Sequence, residues 1–133
     1  MKPIFADTSY YIALLSATDD WHEPAVEWSE KILGRQVVTE YVLVELGSAL
    51  AKVRDRHLYV PFVEHLLAED SIEFVPASAE LFRRGLALFE KRPDKDWSLL
   101  DCISFVVMRQ RRLTDALTLD HHFEQAGFNV LLK

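Results

Sequence analysis

Four carboxylates stand where a folded chain could gather them: Asp7 in ADTSYY, Glu45 in TEYVLVEL, Asp101 in SLLDCIS and Asp120 in LTLDHHF. Glu45 is the odd one. Val44 and Leu46 flank it, and Val42 and Ala49 lie three before and four after, so its segment suits the lining of a core. Charged side chains are almost never fully buried unless paired, and no Lys or Arg lies three or four residues away to pair with it on a helix. Three aspartates and an isolated glutamate drawn into one place repel one another unless cations neutralise them. An oxygen-only set of this kind favours Mg²⁺ or Mn²⁺, with Ca²⁺ also accommodated. Zinc fits less well, because His121 and His122 lack a Cys or His partner at ligand spacing, and both read as ordinary helix-start residues.

The elements that must position these acids can be read from the apolar pattern. PIFA (3–6), QVVT (36–39), IEFVP (72–76), ALTL (116–119) and FNVLL (128–132) are short apolar runs of the kind that form buried parallel strands. Between them the pattern predicts helices over 8–16, 22–33, 40–54, 58–69, 77–91 and 98–112, and a short one after Asp120 that Gly127 closes. The alternation predicts one α/β domain over residues 1–133, with a parallel sheet of about five short strands flanked by helices. Asp7 and Asp120 then directly follow strands, at the edge where open parallel sheets bind ligands. Glu45 falls one to two turns into the helix after QVVT, and Asp101 in the first turn of the helix opening at Ser98, so both can reach that edge.

Each acid also has a structural explanation. Asp7 and Asp120 sit where helix N-caps belong. Ser98 and Asp101 read as S-x-x-D, a variant of the capping box, and an acid in a first turn suits the helix dipole. A mid-helix Glu45 caps nothing; its structural reading is a half-exposed glutamate at a helix edge. MRQRRL (108–113) looks like an RNA patch, but it ends the helix that Asp101 begins, some 12–17 Å from the acidic edge at roughly 1.5 Å per residue. Favourable charge at a helix C-terminus explains it better. Trp97 and Tyr10 suit either stacking on bases or core packing. The helix over 58–69 is apolar enough either to carry a partner surface or to cover the sheet.

Overall composition narrows the classes. The chain has 133 residues, half of them hydrophobic, which is enough for one real core and too few for two full domains. With 21 Asp and Glu against 15 Lys and Arg, the formal net charge is −6. No global positive field attracts a polyanion, so nucleic-acid binding needs local cations or metal ions. The single Cys102 excludes an internal disulfide, and it makes a poor nucleophile beside Asp101. The N-terminal apolar run meets Asp7 too early for a signal peptide or a membrane span, so a soluble, cytoplasmic protein is expected.

The motifs ADTSYYIALL, TEYVLVEL, DKDWSLLDCISFVVM and ALTLDHHFEQAGF, in that order over nearly the whole chain, resemble the PIN-domain ribonucleases, especially the VapC-type toxins of toxin–antitoxin pairs. The resemblance implies a parallel sheet sandwiched between helices in three layers, and an endonuclease that hydrolyses RNA phosphodiester bonds with Mg²⁺ or Mn²⁺. Asp7, Glu45, Asp101 and Asp120 match the family's acidic quartet, as catalytic and metal-binding residues, and Thr118 matches its usual hydroxyl residue. Asp96, in the loop before the third motif's helix, and Ser98 read as supporting residues around the site. A homodimer and a cognate antitoxin, silencing the protein with a peptide across the acidic pocket, are implied as partners. Outside toxin–antitoxin systems, an RNA-processing nuclease or an inactive PIN-like binding module shares the pattern. A phosphatase or receiver-like domain using Asp7 lacks the second aspartate of a D-x-D site, since the sequence there is Asp7-Thr8-Ser9.

Overall fold

The structure, a computed structural model, describes residues 2–32 and 35–133. Strand β1 (Ile4–Ala6) leads into helices α1 (Thr8–Leu15) and α2 (His22–Lys31), and β2 (Gln36–Thr39) into α3 (Glu40–Ala49) and α4 (Val53–Ala68). After β3 (Ile72–Val75) come α5 (Ala79–Lys91) and α6 (Leu99–Gln110), then β4 (Asp115–Leu117), α7 (His121–Gln125) and β5 (Asn129–Val130). All strand pairs are parallel, in the order β3-β2-β1-β4-β5, with Phe5 paired to both Val37 and Ala116.

This order sets where a site can form. The chain adds β2 and β3 on one side of β1, then crosses back and adds β4 and β5 on the other. With right-handed crossovers, α1 to α4 cover one face and α5 to α7 the other. The connections on either side of β1 and β4 diverge, and a crevice opens at their carboxyl ends, the topological switch point of an open α/β sheet. The strands are short and apolar because both faces are covered: Phe5, Val37, Val38, Ala116 and Leu117 are fully buried. Tyr10 and Tyr11 lie in the core with them.

The aromatic cluster behind the crevice fixes two elements together. Phe105 of α6 meets Trp97 and Phe123 edge-on, both with ring centroids at 5.0 Å, and such pairs contribute about 0.5–1.5 kcal/mol each beyond their buried area. They tie the start of α6 to α7. On the far side of α6, Gly85 of α5 packs against Ile103 so closely that a Cβ would collide with its side chain. Gly127, at φ 96°, ends α7 in the left-handed region that glycine tolerates.

The expected elements are all present, with shifted ends. The helix expected over 40–54 stops at Ala49 and the one expected over 58–69 starts at Val53, so the break between them falls at 50–52 rather than 55–57. The fold back is held by the Tyr59 hydroxyl, which donates to the Leu43 carbonyl at 2.6 Å. A contact 16 residues away in sequence leaves no local signal. The helix expected over 22–33 ends at Lys31, and residue 33 lies outside the described residues. The runs 116–119 and 128–132 form strands only over Asp115–Leu117 and Asn129–Val130, so Asp120 follows β4 by three residues rather than directly.

Candidate active site

Asp7, Glu45, Asp101 and Asp120 line one cleft of about 500 Å³ together with Thr8, Ser9, Asp96, Ser98 and His122. It lies at the β1/β4 switch point, where the Asp7 N–H, just past β1, donates to the Leu117 carbonyl at the end of β4.

Asp7 holds the N-cap position of α1, but its side chain makes no capping bond. Instead the Thr118 hydroxyl donates to its Oδ2 at 2.8 Å. Thr118 is completely buried, and its Oγ1 also accepts the Asp120 N–H at 3.0 Å. Because that hydroxyl's proton goes to Asp7, the Ser9 hydroxyl is the donor in the 3.2 Å contact between Ser9 and Thr118. Ser9 in turn accepts the Leu119 N–H at 3.0 Å. One threonine thus joins two acids from different strands' ends.

Asp101 and Asp120 do cap their helices. In α6 the capping box is complete: Ser98 Oγ accepts the Asp101 N–H, and Asp101 Oδ2 accepts the Ser98 N–H, both at 3.0 Å. In α7, Asp120 Oδ1 accepts the His122 N–H at 2.9 Å. These caps use one oxygen of each carboxylate. Asp101 Oδ1 and Asp120 Oδ2 accept no hydrogen bond from a described residue, which leaves each free to face the cleft.

Burial and charge act on these groups in the same direction. Burial is the chief reason the Asp7 carboxyl is raised to about 7; the Thr118 hydroxyl and the Thr8 N–H oppose it, while Asp101 and Glu45 add smaller repulsions. Asp101 is also raised, first by burial and then by Asp120, against the lowering effects of the Ser98 N–H and His122. Crowding among acids is therefore real but secondary to desolvation. Glu45 corrects the expectation drawn from its flanks. It is exposed, with buried Val42, Leu43 and Leu46 on the other side of α3. It is a helix-edge glutamate, and the edge is the rim of the cleft.

His122 departs from its expected role as an ordinary helix-start residue. Its Nδ1 lies 2.9 Å from Asp101 Oδ2 and 3.3 Å from Asp120 Oδ1. The ligand-type atoms of Asp120, His121 and His122 fall within 4.8 Å of one another. Thr8 was also missed: it is buried, and its Oγ1 is without a partner among the described residues. A helix-start D-H-H and the D-T-S after a strand were the available signals, each too common to stand out.

The other candidates resolve structurally. Trp97 is buried and donates to Gln125 at 3.0 Å, and Tyr10 is buried in the core, so neither offers a ring to a base. Arg111, in MRQRRL, pairs with Glu73 near the start of β3, on the edge away from the cleft. Burial, and secondarily Asp101, raises the Cys102 thiol, as expected of a poor nucleophile. Helix α4 covers the sheet with Tyr59, Phe62, Val63 and Leu66. An exposed apolar stripe lies elsewhere, formed by Phe82, Leu86 and Phe89 on α5, and Val44 projects from α3.

Carboxylate oxygens that have no hydrogen-bonding partner among the described residues, lining one cleft with an unpartnered Thr8 hydroxyl, suit a hard divalent cation, which takes oxygen ligands and retains water. The fold and cleft define a parallel α/β protein with a carboxylate site at its switch point, of the kind that binds divalent metal. The PIN domain family matches residues 4–129, and the chain belongs to that family. It is 27% identical, over 135 aligned positions covering 94% of this chain and 95% of the relative, to the 23S rRNA-specific endonuclease VapC20 of Mycobacterium tuberculosis. The crystal structure of VapC20, a sarcin-ricin loop cleaving toxin, superimposes with a TM-score of 0.85 at 25% identity, covering 94% of this chain and 95% of that one. A toxin–antitoxin complex from Klebsiella pneumoniae shares the fold, with a TM-score of 0.61, 18% identity and coverage of 89% and 87%.

Proposed function

We propose that this protein is a Mg²⁺- or Mn²⁺-dependent endoribonuclease and the toxin of a type II toxin–antitoxin pair. The observation that carries the reading is the state of the aspartates: Thr118 binds one oxygen of Asp7, and helix-start bonds bind one oxygen each of Asp101 and Asp120. A purely structural carboxylate has no need to meet two others at a switch-point crevice. Asp7, Asp101 and Asp120 would hold the metal, with Glu45 completing the site from the rim directly or through water; Asp96 and Ser98 border it. When bound, the ion supplies charge relief for the scissile phosphate and acidifies the attacking water. The chain's own part is to hold its oxygens in place before substrate arrives and to keep the site's inner wall dry. The similarity to VapC20 supports structured RNA of the ribosomal type as substrate.

The same reading includes two protein partners. An antitoxin peptide bearing Arg or Lys finds its counter-ion in the cleft. A second copy covers the groove lined by Tyr41, Val44, Phe82, Leu99, Leu100 and Ile103, whose surroundings expose Phe82, Leu86 and Phe89. The test is cleavage of structured RNA, including a ribosomal stem-loop, with Mg²⁺ or Mn²⁺. Cleavage should stop with EDTA and in Asp7→Asn and Asp101→Asn. Full activity in EDTA overturns the proposal, and a strict monomer by light scattering at high concentration removes the dimer from it.

A further inference from the structure

Among the described residues, the segment from Thr118 to His122 links Asp7, Asp101 and Asp120. The Thr118 hydroxyl donates to Asp7, the His122 backbone N–H to Asp120, and the His122 ring contacts Asp101 and Asp120. The first two contacts fit the expected hydroxyl residue and a helix cap. The third needs another explanation, because the Asp101 cap is already complete without it: Ser98, three residues away, makes both bonds of the capping box.

We infer that His122 is a positioning residue, whose imidazole fixes the Asp101 carboxylate for metal binding; the inference rests on the nuclease reading of the cleft. The direction of the bond follows from its partners. Asp101 Oδ2 already accepts the Ser98 N–H, so it acts as an acceptor toward Nδ1 as well, and Nδ1 carries the hydrogen. Asp120 Oδ1, at 3.3 Å, lies within the same reach. With two donors on Oδ2, rotation of the Asp101 carboxylate would break both bonds, which leaves Oδ1 as the oxygen offered to an ion. The ring is held for this purpose. Its side chain is 19% exposed, and Phe123, the next residue, is fully buried against Phe105 of the helix that carries Asp101. Outer partners of this kind are worth about 10–100-fold in metal affinity or activity.

The inference is tested by Mn²⁺ titration, followed through the electron paramagnetic resonance of free Mn²⁺, together with steady-state cleavage of the same RNA. His122→Ala removes the donor. His122→Asn puts a side-chain N–H close to the position of Nδ1, and serves as the control for folding. The expected result is a loss of Mn²⁺ affinity of about 10–100-fold in His122→Ala, a fall in kcat with KM for RNA unchanged, and recovery of both in His122→Asn. Wild-type affinity and kcat in His122→Ala overturn the inference, as does a loss that His122→Asn leaves unrepaired. Hyperfine coupling from a directly bonded imidazole nitrogen on Mn²⁺ also overturns it, by making His122 a ligand. If the wild type neither binds Mn²⁺ nor cuts RNA, the nuclease reading fails and takes this inference with it. An active wild type with an indifferent His122→Ala removes only the inference.

Discussion

Replacing Asp7 with asparagine should abolish activity and yet stabilise the metal-free protein. The folded carboxyl is raised to about 7 from an ordinary 3.8, mainly by burial, and Asp7 is only 7% exposed. In the unfolded chain the same group ionises near 3.8, so between about pH 4 and 7 the unfolded state holds fewer protons than the folded one. Stability is then full below about 4 and is lost as pH rises through about 7. The gap of about three pH units corresponds to roughly 4 kcal/mol, taken as an order of magnitude. The substituted asparagine does not ionise, and its carbonyl oxygen can still accept the Thr118 hydroxyl.

The two proteins should therefore melt together in EDTA only below about pH 4 and separate progressively as pH rises from about 4 to 7, with Asp7→Asn higher by roughly 10–20 °C above pH 7, since 1 kcal/mol shifts Tm by roughly 3–6 °C in a domain of this size. Mg²⁺ should raise the wild type more than the mutant, by mass action on a site the mutant has impaired. Asp101→Asn, which removes only a minor repulsion from Asp7, should leave most of the wild type's loss with pH in place. Thermal melts at pH 5, 6.5 and 8, with EDTA and with Mg²⁺, decide the matter. A wild type whose apo stability is flat from pH 5 to 8, or a mutant less stable than wild type at pH 8, refutes the reasoning.

Two further outcomes follow, one from the Thr118 hydrogen bonds in the cleft and one from the α5–α6 packing behind it. Thr118→Val should cost about 1–3 kcal/mol in urea denaturation, because it leaves the Asp120 N–H and a buried Asp7 oxygen without their shared partner; Thr118→Ser should recover most of that loss and of the activity. Gly85→Ala should destabilise by about 1–3 kcal/mol, because α5 and α6 must part to admit a Cβ against Ile103. A Gly85→Ala protein as stable as wild type would show that Ile103 turns aside freely.

Much of the fold was legible because parallel strands covered on both faces are nearly continuous apolar runs: QVVT forms β2 without a residue's error. The ends of β4 and β5 were not legible. ALTL and FNVLL remain apolar past the ends of the strands, since Leu119 and Leu132 pack against the core outside the ladder, and hydrophobicity reports burial rather than hydrogen bonding. The break between α3 and α4 was legible but placed a few residues late, because the fold back is held by Tyr59 on Leu43 rather than by a local stop signal. For the site, the three aspartates were visible from their placement at strand ends and helix starts, and Glu45 from its isolation in mid-helix. The contacts that join them across the cleft were not, because they run between segments far apart in sequence: Thr118 reaches Asp7 across 111 residues and His122 reaches Asp101 across 21.

The choice between cap and ligand could not be made from sequence because for two of the acids it is no choice. A capping bond occupies one carboxylate oxygen, and a metal needs the other. Asp101 and Asp120 can therefore do both, and the cap itself aims the side chain by fixing its rotamer against the first turn. Asp7 is the exception, since its oxygen is taken by Thr118 and its helix goes without a side-chain cap. Forgoing a bond worth typically about 1 kcal/mol, in a place where burial already penalises the charge, marks Asp7 as the acid whose position serves the cleft more than the fold. The melts at pH 8 measure that penalty directly, with Mg²⁺ as the condition under which it disappears.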